Sequence, residues 1–393
     1  MPNYVVIVLG DIGRSPRMQN HCVCLSHLPE SEVHVVGYTE SQIFSELSES
    51  KNVHIHRIRP FIDLPRYLFP IYAPIKILWL FLQLLTLFIR LPRFELIVSQ
   101  NPPSIPTIPF CLLLKFFKGQ RYVIDWHNLG YSLLKVHKVP NIIIKISKYL
   151  EIFFGRFADG HITVTKSLQE FLLNENIQST VVYDRPSPLF RYCPELRTRY
   201  SEELNINSED IWVITSTSWT PDEDINILLT ASDYLEEILE GNSRSLSFII
   251  TGIGPGRRSF ESEVKGRNYR NISFYFEFLQ YEKYAELLGT CDVGVSLHKS
   301  SSGIDLPMKG LDMIGAGLPL LSIEYQSIRE LVEEGENGLL FNDGKELSEI
   351  IRKLFVSNEI SIEGLREGSI KSGRKKWTEE WNLHAKGVFF VKD

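Results

Sequence analysis

Two acids and a lysine in one short stretch have the residue types that bind a phosphorylated ligand. Asp305, Lys309 and Asp312 follow an apolar run of strand length and a polar loop at residues 298–303. If a helix begins at Met308, Lys309 and Asp312 lie in its first turns, where backbone N–H groups and the helix dipole favour an anion such as a diphosphate. A carboxylate at this place suits the hydroxyls of a ribose, as it does in dinucleotide-binding folds. The stretch therefore predicts a nucleotide site.

The elements around this stretch follow a regular order along a chain of 393 residues, which is long enough for two domains. Apolar runs such as Tyr4–Leu9, Leu96–Ser99 and Ile211–Thr215 predict strands, and helical stretches separate them. This alternation is typical of parallel sheets with helices on both faces. Ligands of such sheets bind at the carboxyl ends of the strands. The pattern predicts an α/β protein with two parallel-sheet domains.

The stretch around Lys309 also resembles a known pattern. Glycosyltransferases of the GT-B architecture carry an acid, a Pro-x-Lys-x-x-acid helix start and a small-residue run that ends in Gly-x-Pro. The form SSSGIDLPMKGLDMIGAGLP at residues 300–319 resembles one family in particular, the chitobiosyldiphosphodolichol beta-mannosyltransferases. Further blocks that resemble this family are GDIGRSPRMQ (10–19), QNPPSIP (100–106), VIDWHNLGYS (123–132), VVYDRP (181–186) and STSWTPDEDINILL (216–229).

The resemblance implies the GT-B fold, in which two Rossmann-like domains face a cleft. The N-terminal domain, facing the acceptor and the membrane, is predicted at residues 1–195. The nucleotide-sugar-binding domain is predicted at residues 205–370, after a polar run that is typical of a linker. Residues 371–393 are predicted to return as a helix that braces the first domain.

The resemblance also implies which residues bind the nucleotide-sugar donor. Many GT-B enzymes hold the diphosphate with an arginine and a lysine near residues 219–221, where this sequence instead predicts a helix start followed by acids. The turn at residues 251–255 has Ile253 where the family has a lysine. Lys309 and backbone N–H groups would then bind the phosphates. The residues assigned to the donor are Trp219, Gly252, Gly254, Ser301, Ser302, Gly303, Lys309 and Asp312.

Polar residues that directly follow predicted strands are candidates for the chemical step. The family turns an alpha-linked donor into a beta-linked product, and such an inverting transfer needs a base for the acceptor hydroxyl and charge stabilisation on the departing diphosphate. His127 and Asp11 are the candidates for this base from the first domain, and Asp305 is a third from the donor side. Arg14 and Asn128 are assigned to the acceptor.

Composition argues against several other classes of protein. Five cysteines without CxxC or matching histidine spacing oppose a disulfide framework and a zinc site. With no Asp-x-Asp cluster at a plausible place, we predict no metal and no cofactor beyond the donor substrate. The N-terminus runs directly into a strand without a charged segment before it, so we expect neither a signal peptide nor an anchor, although family members usually carry an N-terminal transmembrane helix.

Charge is distributed unevenly along a chain whose net charge is −6. Residues 51–156 hold 15 Lys and Arg against 4 Asp and Glu, and long aliphatic runs there favour a membrane surface over a nucleic acid. Ile75–Leu91 has more apolar surface than one sheet face can cover. Its uninterrupted core, Ile77–Ile89 between prolines, is shorter than the about 20 apolar residues that span a bilayer. We predict that it lies among lipid headgroups, with Trp79 and Phe88 facing the membrane.

The resemblance implies a GDP-mannose-dependent hexosyltransferase. It would form the first beta-1,4-mannosyl linkage on dolichyl-diphosphate chitobiose during N-glycan precursor assembly. Its place would be the cytosolic face of the endoplasmic reticulum membrane, as a peripheral or monotopic protein, and other glycosyltransferases of the pathway could be partners. Two alternatives stay open: a GT-B transferase with another polyprenyl-diphosphate sugar acceptor, and a non-catalytic binding subunit of a transferase complex.

Overall fold

The computed structural model describes residues 1–62, 69–136, 139–220, 223–299 and 303–390. The chain forms two compact units, one of Met1–Asp184 with Trp377–Asp393 and one of Arg185–Lys376. The first break falls before the predicted linker, and the second falls inside the predicted C-terminal segment. Each unit is a parallel sheet with helices, so the predicted α/β architecture is confirmed.

A sheet of parallel strands organises the first unit. Its strands lie in the order β3-β2-β1-β4-β5-β6-β7, where the labels denote β1 (Asn3–Asp11), β2 (Glu32–Tyr38), β3 (Val53–Arg57), β4 (Leu96–Asn101), β5 (Arg121–Trp126), β6 (Gly160–Thr163) and β7 (Thr180–Val181). The helices are α1 (Pro16–Ser26), α2 (Ser45–Ser48), α3 (Phe69–Arg90), α4 (Thr107–Lys118), α5 (Gly130–Val136), α6 (Asn141–Gly155) and α7 (Lys166–Asn174). Because the strands are parallel, the residues that follow β1, β4 and β5 lie at the same edge of the sheet.

The C-terminal segment is part of the core of this first unit. It consists of three short helical pieces, Trp377–Glu380, Trp381–Ala385 and Lys386–Phe389. Arg121, at the start of β5, donates two hydrogen bonds to the Val388 carbonyl, at 2.9 and 3.1 Å. One buried cluster joins the segment to β1 and α1, and its members include Tyr4, Val6, Val8, Met18, Cys22, Leu25, Trp377, Trp381 and Phe389.

The second unit has a parallel sheet with a core on each face. Its strand order is β10-β9-β8-β11-β12-β13, where the labels denote β8 (Ile211–Ser216), β9 (Leu246–Thr251), β10 (Ile272–Glu277), β11 (Val293–Ser296), β12 (Leu320–Ile323) and β13 (Gly338–Phe341). Ile211 and Val213 enter one buried cluster, and Trp212 and Ile214 enter the other, as the alternation of a strand requires. The helices are α8 (Arg197–Leu204), α9 (Asn226–Ile238), α10 (Arg257–Arg267), α11 (Tyr281–Leu288), α12 (Met308–Gly315), α13 (Gly344–Phe355) and α14 (Ile362–Gly373).

Candidate active site

The lysine at the start of α12 lies against a buried carboxylate. The helix begins at Met308, as predicted, and Lys309 is in its first turn. Lys309 Nζ lies 2.6 Å from Glu223 Oε1, and the Glu223 side chain is only 4% exposed. Glu223 Oε2 accepts hydrogen bonds from Thr217 Oγ1 at 2.7 Å and from the Ser218 backbone N–H at 2.8 Å. Both carboxylate oxygens are therefore paired, which makes burial of this charge tolerable.

Trp219 belongs to the core and not to a ligand surface. Its indole is 5% exposed, and its ring packs against Phe260 and Phe276 with centroids 5.7 and 6.2 Å away. The indole Nε1 donates to the Gly252 carbonyl at 3.1 Å. The ring fixes the loop that carries Glu223, so the predicted contact of Trp219 with the donor stays a prediction for its backbone alone.

The same loop explains two glycines that were assigned to the donor. A Cβ at Gly252 would lie 1.9 Å from Thr217 O, and one at Gly254 would lie 2.0 Å from Ser218 O. Gly252 also has a φ of 124°, which other residues rarely adopt. The glycines are required for close backbone packing, whatever further contact they make with a phosphate.

The predicted helix start at residues 219–221 is wrong. The helix α9 begins at Asn226, after Glu223 has paired with His298 in an isolated antiparallel bridge. Three consecutive acids favour a helix start locally, but burial of Glu223 beside Lys309 outweighs that preference. Pro221 and Asp222 lie outside the described residues.

Asp312 lies one turn beyond Lys309 on α12. Burial raises its pKa to about 8. Burial and the nearby Asp312 raise the pKa of Tyr281 and of Tyr284, both on α11, and Tyr284 Oη lies 2.7 Å from Ser216 Oγ. A carboxyl that is neutral near pH 7 can donate as well as accept a hydrogen bond. Such a group suits ribose hydroxyls, which do both.

The loop before α12 carries the remaining residues assigned to the donor. Ser301 and Ser302 lie outside the described residues. Ser327 Oγ donates to the carbonyls of Gly303 at 3.1 Å and of Asp305 at 2.9 Å, and Gly303 has a φ of 75°. The backbone that leads into α12 is thereby held in place, while ligand contacts of Gly303 and Asp305 stay predictions.

In the first unit, His127 follows β5 and is held by a fully buried acid. His127 Nε2 lies 3.1 Å from Asp125 Oδ2, and the His127 side chain is 20% exposed. The same oxygen lies 3.0 Å from His21 Nε2 and 2.8 Å from Arg17 Nε, and Arg17 Nη1 donates to Asp184 at 3.0 Å. Burial would raise the pKa of Asp125, but the Arg17 charge and the two histidine hydrogen bonds hold it well below its ordinary value.

These contacts determine which nitrogen of His127 carries a proton. A carboxylate can only accept hydrogen bonds, so His127 Nε2 donates to Asp125. In the neutral ring, Nδ1 then keeps its lone pair. An acid that orients a histidine in this way is the arrangement found beside general bases. His127 is therefore equipped to take a proton from a hydroxyl group.

Asp11, another candidate base, ends β1 and binds the loop after β2. Its Oδ1 accepts hydrogen bonds from the backbone N–H groups of Glu40 at 3.1 Å and Ser41 at 3.2 Å. Burial raises the pKa of Asp11, but these hydrogen bonds outweigh it and place the pKa below its ordinary value. A weakly basic carboxylate is a poorer proton acceptor at neutral pH than an imidazole. Arg14, assigned to the acceptor, has an 80% exposed side chain.

Asn128 lies in the loop between β5 and α5. Its Oδ1 accepts a hydrogen bond from the Leu129 backbone N–H at 2.7 Å. The buried Glu151 carboxylate accepts hydrogen bonds from the Gly130 backbone N–H at 2.8 Å and from Asn101 Nδ2 at 2.7 Å. Glu151 thus ties the end of β4 to the start of α5, and the assignment of Asn128 to the acceptor stays a prediction.

The helix α3 is the one predicted to meet a membrane. It continues through Pro74 over 22 residues, so Pro74 does not bound the apolar stretch as predicted. Tyr72–Arg90, with a mean hydropathy of 1.8, is long and apolar enough by length and composition to cross a membrane, and only 17% of it is buried in the protein. Length therefore does not decide between crossing the bilayer and lying on it.

One side of α3 is nevertheless fixed to its own unit. Phe88 is 1% exposed, and its ring packs against Phe94 and Phe110 with centroids 5.6 and 5.1 Å away. The predicted membrane contact of Phe88 is wrong for this reason. Trp79 is 43% exposed. The exposed apolar side chains of α3 are Ile75, Ile77, Leu78, Trp79, Leu82, Leu85 and Ile89.

Sequence reasoning missed several buried charged residues that position the candidate site residues. Asp125 and Glu151 interrupt apolar runs that otherwise predict buried elements, and that interruption is a usable signal, because an unpaired charge is rarely buried. Arg17 lies in an ordinary helix start, and its sequence context gives no sign that it is buried. Glu223 is one of three consecutive acids, and no local pattern distinguishes it from its neighbours.

The two parallel sheets, with a lysine and an acid at the helix start after β11, define a glycosyltransferase of the GT-B class. A family model described as "Glycosyl transferases group 1" matches residues 197–376. The fold resembles Anabaena Alr3699/HepE in complex with UDP, with a TM-score of 0.69, 14% identity and 98% of each chain covered. It also resembles a glycosyltransferase from Rickettsia africae, with a TM-score of 0.65, 12% identity and 97% of each chain covered.

Relatives identify the family more narrowly. The chitobiosyldiphosphodolichol beta-mannosyltransferase of Kluyveromyces lactis is 34% identical over 96% of this chain and 87% of its own. The Homo sapiens protein of the same name is 33% identical over 96% of this chain and 90% of its own. "UDP-glycosyltransferase TURAN" of Arabidopsis thaliana is 34% identical over 97% and 96%. The chain belongs to the chitobiosyldiphosphodolichol beta-mannosyltransferase family.

Proposed function

We propose that this protein transfers mannose from GDP-mannose to chitobiose on diphosphodolichol, with inversion, to form a beta-1,4 linkage. The observation that carries the proposal is the similarity, at 33–34% identity over 96% of the chain, to relatives named for this activity. This chain also has a lysine at the start of α12 and a histidine oriented by a buried acid, which the proposed reaction can use.

On the donor side, Lys309 and the N-terminus of α12 bind the diphosphate in the proposed reaction. Positive charge there stabilises the GDP that departs when the bond between mannose C1 and the diphosphate breaks. Asp312, neutral near pH 7 because burial raises its pKa to about 8, hydrogen-bonds the ribose. Gly303 and the loop before it contact phosphate or sugar oxygens.

On the acceptor side, His127 acts as the general base. Its Nδ1 takes the proton of the acceptor 4-hydroxyl while that oxygen bonds to mannose C1. The proton taken up makes the ring an imidazolium, and the Asp125 carboxylate 3.1 Å from Nε2 stabilises that charge. The contribution of a general base is typically about 10²- to 10⁴-fold in rate.

The lipid-linked acceptor requires access to a membrane, and we propose that α3, α4 and α6 provide it. The helix α4 contacts both α3 and α6. Each of the three presents exposed apolar side chains, among them Leu78 on α3, Phe116 and Phe117 on α4, and Ile142 on α6. Buried Phe88 and the hydrogen bonds of Gln83 to the Arg59 backbone at 3.0 Å hold one side of α3 on the protein. This favours a helix lying in the headgroup region on the cytosolic face of the endoplasmic reticulum.

A second donor class deserves a direct comparison because one relative carries the name UDP-glycosyltransferase. The deciding experiment gives purified protein a panel of nucleotide sugars with a phytanyl-linked chitobiose diphosphate. We expect turnover with GDP-mannose and a product that a beta-mannosidase cleaves. Turnover with a UDP-sugar instead would overturn the donor assignment, and binding of GDP-mannose without turnover would favour a non-catalytic subunit. Parallel assays with EDTA and with added Mg²⁺ test the expectation that no metal is needed.

A further inference from the structure

The C-terminal segment reaches the proposed base through a chain of hydrogen bonds. Trp381, the first residue of the π-helical piece, is 1% exposed, and its indole Nε1 lies 3.1 Å from His21 Nδ1. His21 Nε2 lies 3.0 Å from Asp125 Oδ2, which in turn lies 3.1 Å from His127 Nε2. A continuous line of hydrogen bonds thus links Trp381 to His127, although the two residues are far apart in the sequence.

Every proton in this line can be placed. An indole N–H can only donate, so His21 Nδ1 is an acceptor and carries no proton. His21 is fully buried, and burial lowers its pKa, so the ring is neutral and its one proton is on Nε2. That proton is donated to Asp125. The indole and the Asp125 carboxylate therefore select the same neutral tautomer of His21, the one that can donate to Asp125.

We propose that Trp381 is a positioning residue for the transfer reaction, acting through His21 and Asp125 on His127. The proposal rests on the proposed role of His127 as the base. Asp125 divides its hydrogen-bonding capacity among His21, His127 and Arg17, and Arg17 is also paired with Asp184. Without the indole, His21 can also carry its proton on Nδ1, and that tautomer cannot donate to Asp125. Asp125 is then less well hydrogen-bonded, becomes more basic and holds the proton on His127 more strongly.

A second tryptophan in the same segment provides a matched control. Trp377 is 8% exposed, and its ring packs edge-on against His21 with centroids 5.1 Å apart. Its indole also lies 5.2 Å from the Arg17 guanidinium carbon. Trp377 takes no part in the line from Trp381 to His127; its side chain hydrogen-bonds Cys24, which offsets part of the burial that raises the pKa of the Cys24 thiol. Trp377→Phe and Trp381→Phe therefore make the same change in the same core, and only Trp381→Phe breaks the line to His127.

The experiment is an NMR titration of the His127 ring in the donor-free protein, with the pH profile of kcat/KM as a second readout. In Trp381→Phe we expect the His127 midpoint and the acid limb of the profile to move to higher pH, and turnover to fall roughly 2- to 10-fold, the range of one neutral hydrogen bond. In Trp377→Phe the His127 midpoint and the acid limb should not move. GDP binding should be unchanged in Trp377→Phe and in Trp381→Phe. Equal shifts in the two variants, or none in either, would overturn the proposal.

A third variant separates tautomer selection from loss of packing. In His21→Gln, the amide N–H₂ group can still donate to Asp125, but an amide has no tautomer that the indole could select. Adding Trp381→Phe to His21→Gln should therefore shift the His127 midpoint no further. A further shift would show that the indole acts through packing. If His127→Ala retains full turnover, the base assignment fails, whereas a titration shift in Trp381→Phe would still establish the hydrogen-bonded line.

Discussion

Lys309 Nζ lies 2.6 Å from Glu223 Oε1, so the lysine that should meet the donor diphosphate is already paired with a buried acid. Many GT-B enzymes have basic residues in the loop after the first strand of the donor domain, and here that loop, after β8, supplies a carboxylate. A diphosphate that binds at the start of α12 must compete with Glu223 for Lys309. We therefore expect the pair to lower the affinity of the free protein for an anion.

Glu223→Gln should bind GDP more tightly. Glutamine keeps an oxygen that can accept from Thr217 and Ser218 but removes the competing charge, and because Lys309 is 36% exposed the gain should be roughly 1 kcal/mol. Titration calorimetry with GDP measures it. Glu324→Gln, which removes an exposed acid paired with Arg329, is the control and should change nothing. Weaker GDP binding in Glu223→Gln would show that Glu223 supports Lys309 and does not compete for it.

Lys309→Ala should weaken GDP-mannose binding by roughly 1.5 to 3 kcal/mol, the value of a charged hydrogen bond. It should also lower stability, because it leaves the Glu223 carboxylate buried without its counter-charge. Adding Glu223→Gln to Lys309→Ala should restore the thermal midpoint and leave donor binding weak. If GDP-mannose binds Lys309→Ala as well as it binds the wild type, the donor site lies elsewhere.

The fold was predictable from local pattern, and the site was predictable only in part. Continuous apolar runs such as Ile211–Thr215 mark buried parallel strands, and the structure has β8 at Ile211–Ser216. The start of α12 at Met308 was likewise visible, because a proline precedes it. The side chains of Trp219 and Phe88 are buried, which the sequence did not reveal, because a large side chain has the same appearance in a sequence whether it faces a ligand, a membrane or the core. The partner of Lys309 lies 86 residues away, and local spacing carries no information about it.

Asp312 should make stability depend on pH in a specific direction. Burial raises the pKa of Asp312 from an ordinary value of 3.8 to about 8 in the folded protein. Its contribution to stability is therefore complete below about pH 4 and is lost as the pH rises towards 8, because the unfolded chain ionises first. Asp312→Asn cannot ionise, so its thermal midpoint should rise relative to the wild type between pH 4 and 8. Parallel curves for the two proteins would show that Asp312 titrates normally.

His127→Ala should lower kcat by about 10²- to 10⁴-fold while GDP binding persists. Asp11→Ala should have a smaller effect on kcat, since Asp11 is engaged with the backbone N–H groups of Glu40 and Ser41. Asp305→Ala tests the candidate from the donor side. Steady-state kinetics with GDP-mannose and the phytanyl acceptor distinguish the three, and full activity in all of them would remove every proposed base.

We expect the exposed side of α3, together with α4 and α6, to bind a membrane surface. Leu78, Leu82 and Ile89 are 57%, 49% and 75% exposed, whereas Leu84 and Phe88 are at most 1% exposed. Replacing the three exposed residues with glutamine should release the protein from liposomes that contain anionic lipid, because their burial among headgroups contributes roughly 1.5 kcal/mol or more each. The thermal midpoint should hardly change, since these side chains touch water in the free protein.

The last test separates apolar burial from charge. Lys76, Lys118 and Lys145 are exposed on α3, α4 and α6 and have no acidic partner among the described residues, unlike Lys115 and Lys148, which pair with Asp159 and Glu175. Each lysine near an anionic surface contributes roughly 1 kcal/mol. Lys76→Gln, Lys118→Gln and Lys145→Gln together should therefore weaken sedimentation with anionic liposomes, and the binding that remains should not depend on salt.

Leu383→Gln is the matched control for Ile89→Gln. The two residues are 76% and 75% exposed, but Leu383 lies in the C-terminal segment. Equal release by Leu383→Gln and Ile89→Gln would mean that exposed apolar area alone drives the binding, and failure of the wild type to sediment at low salt would leave α3, α4 and α6 without a role at a lipid surface.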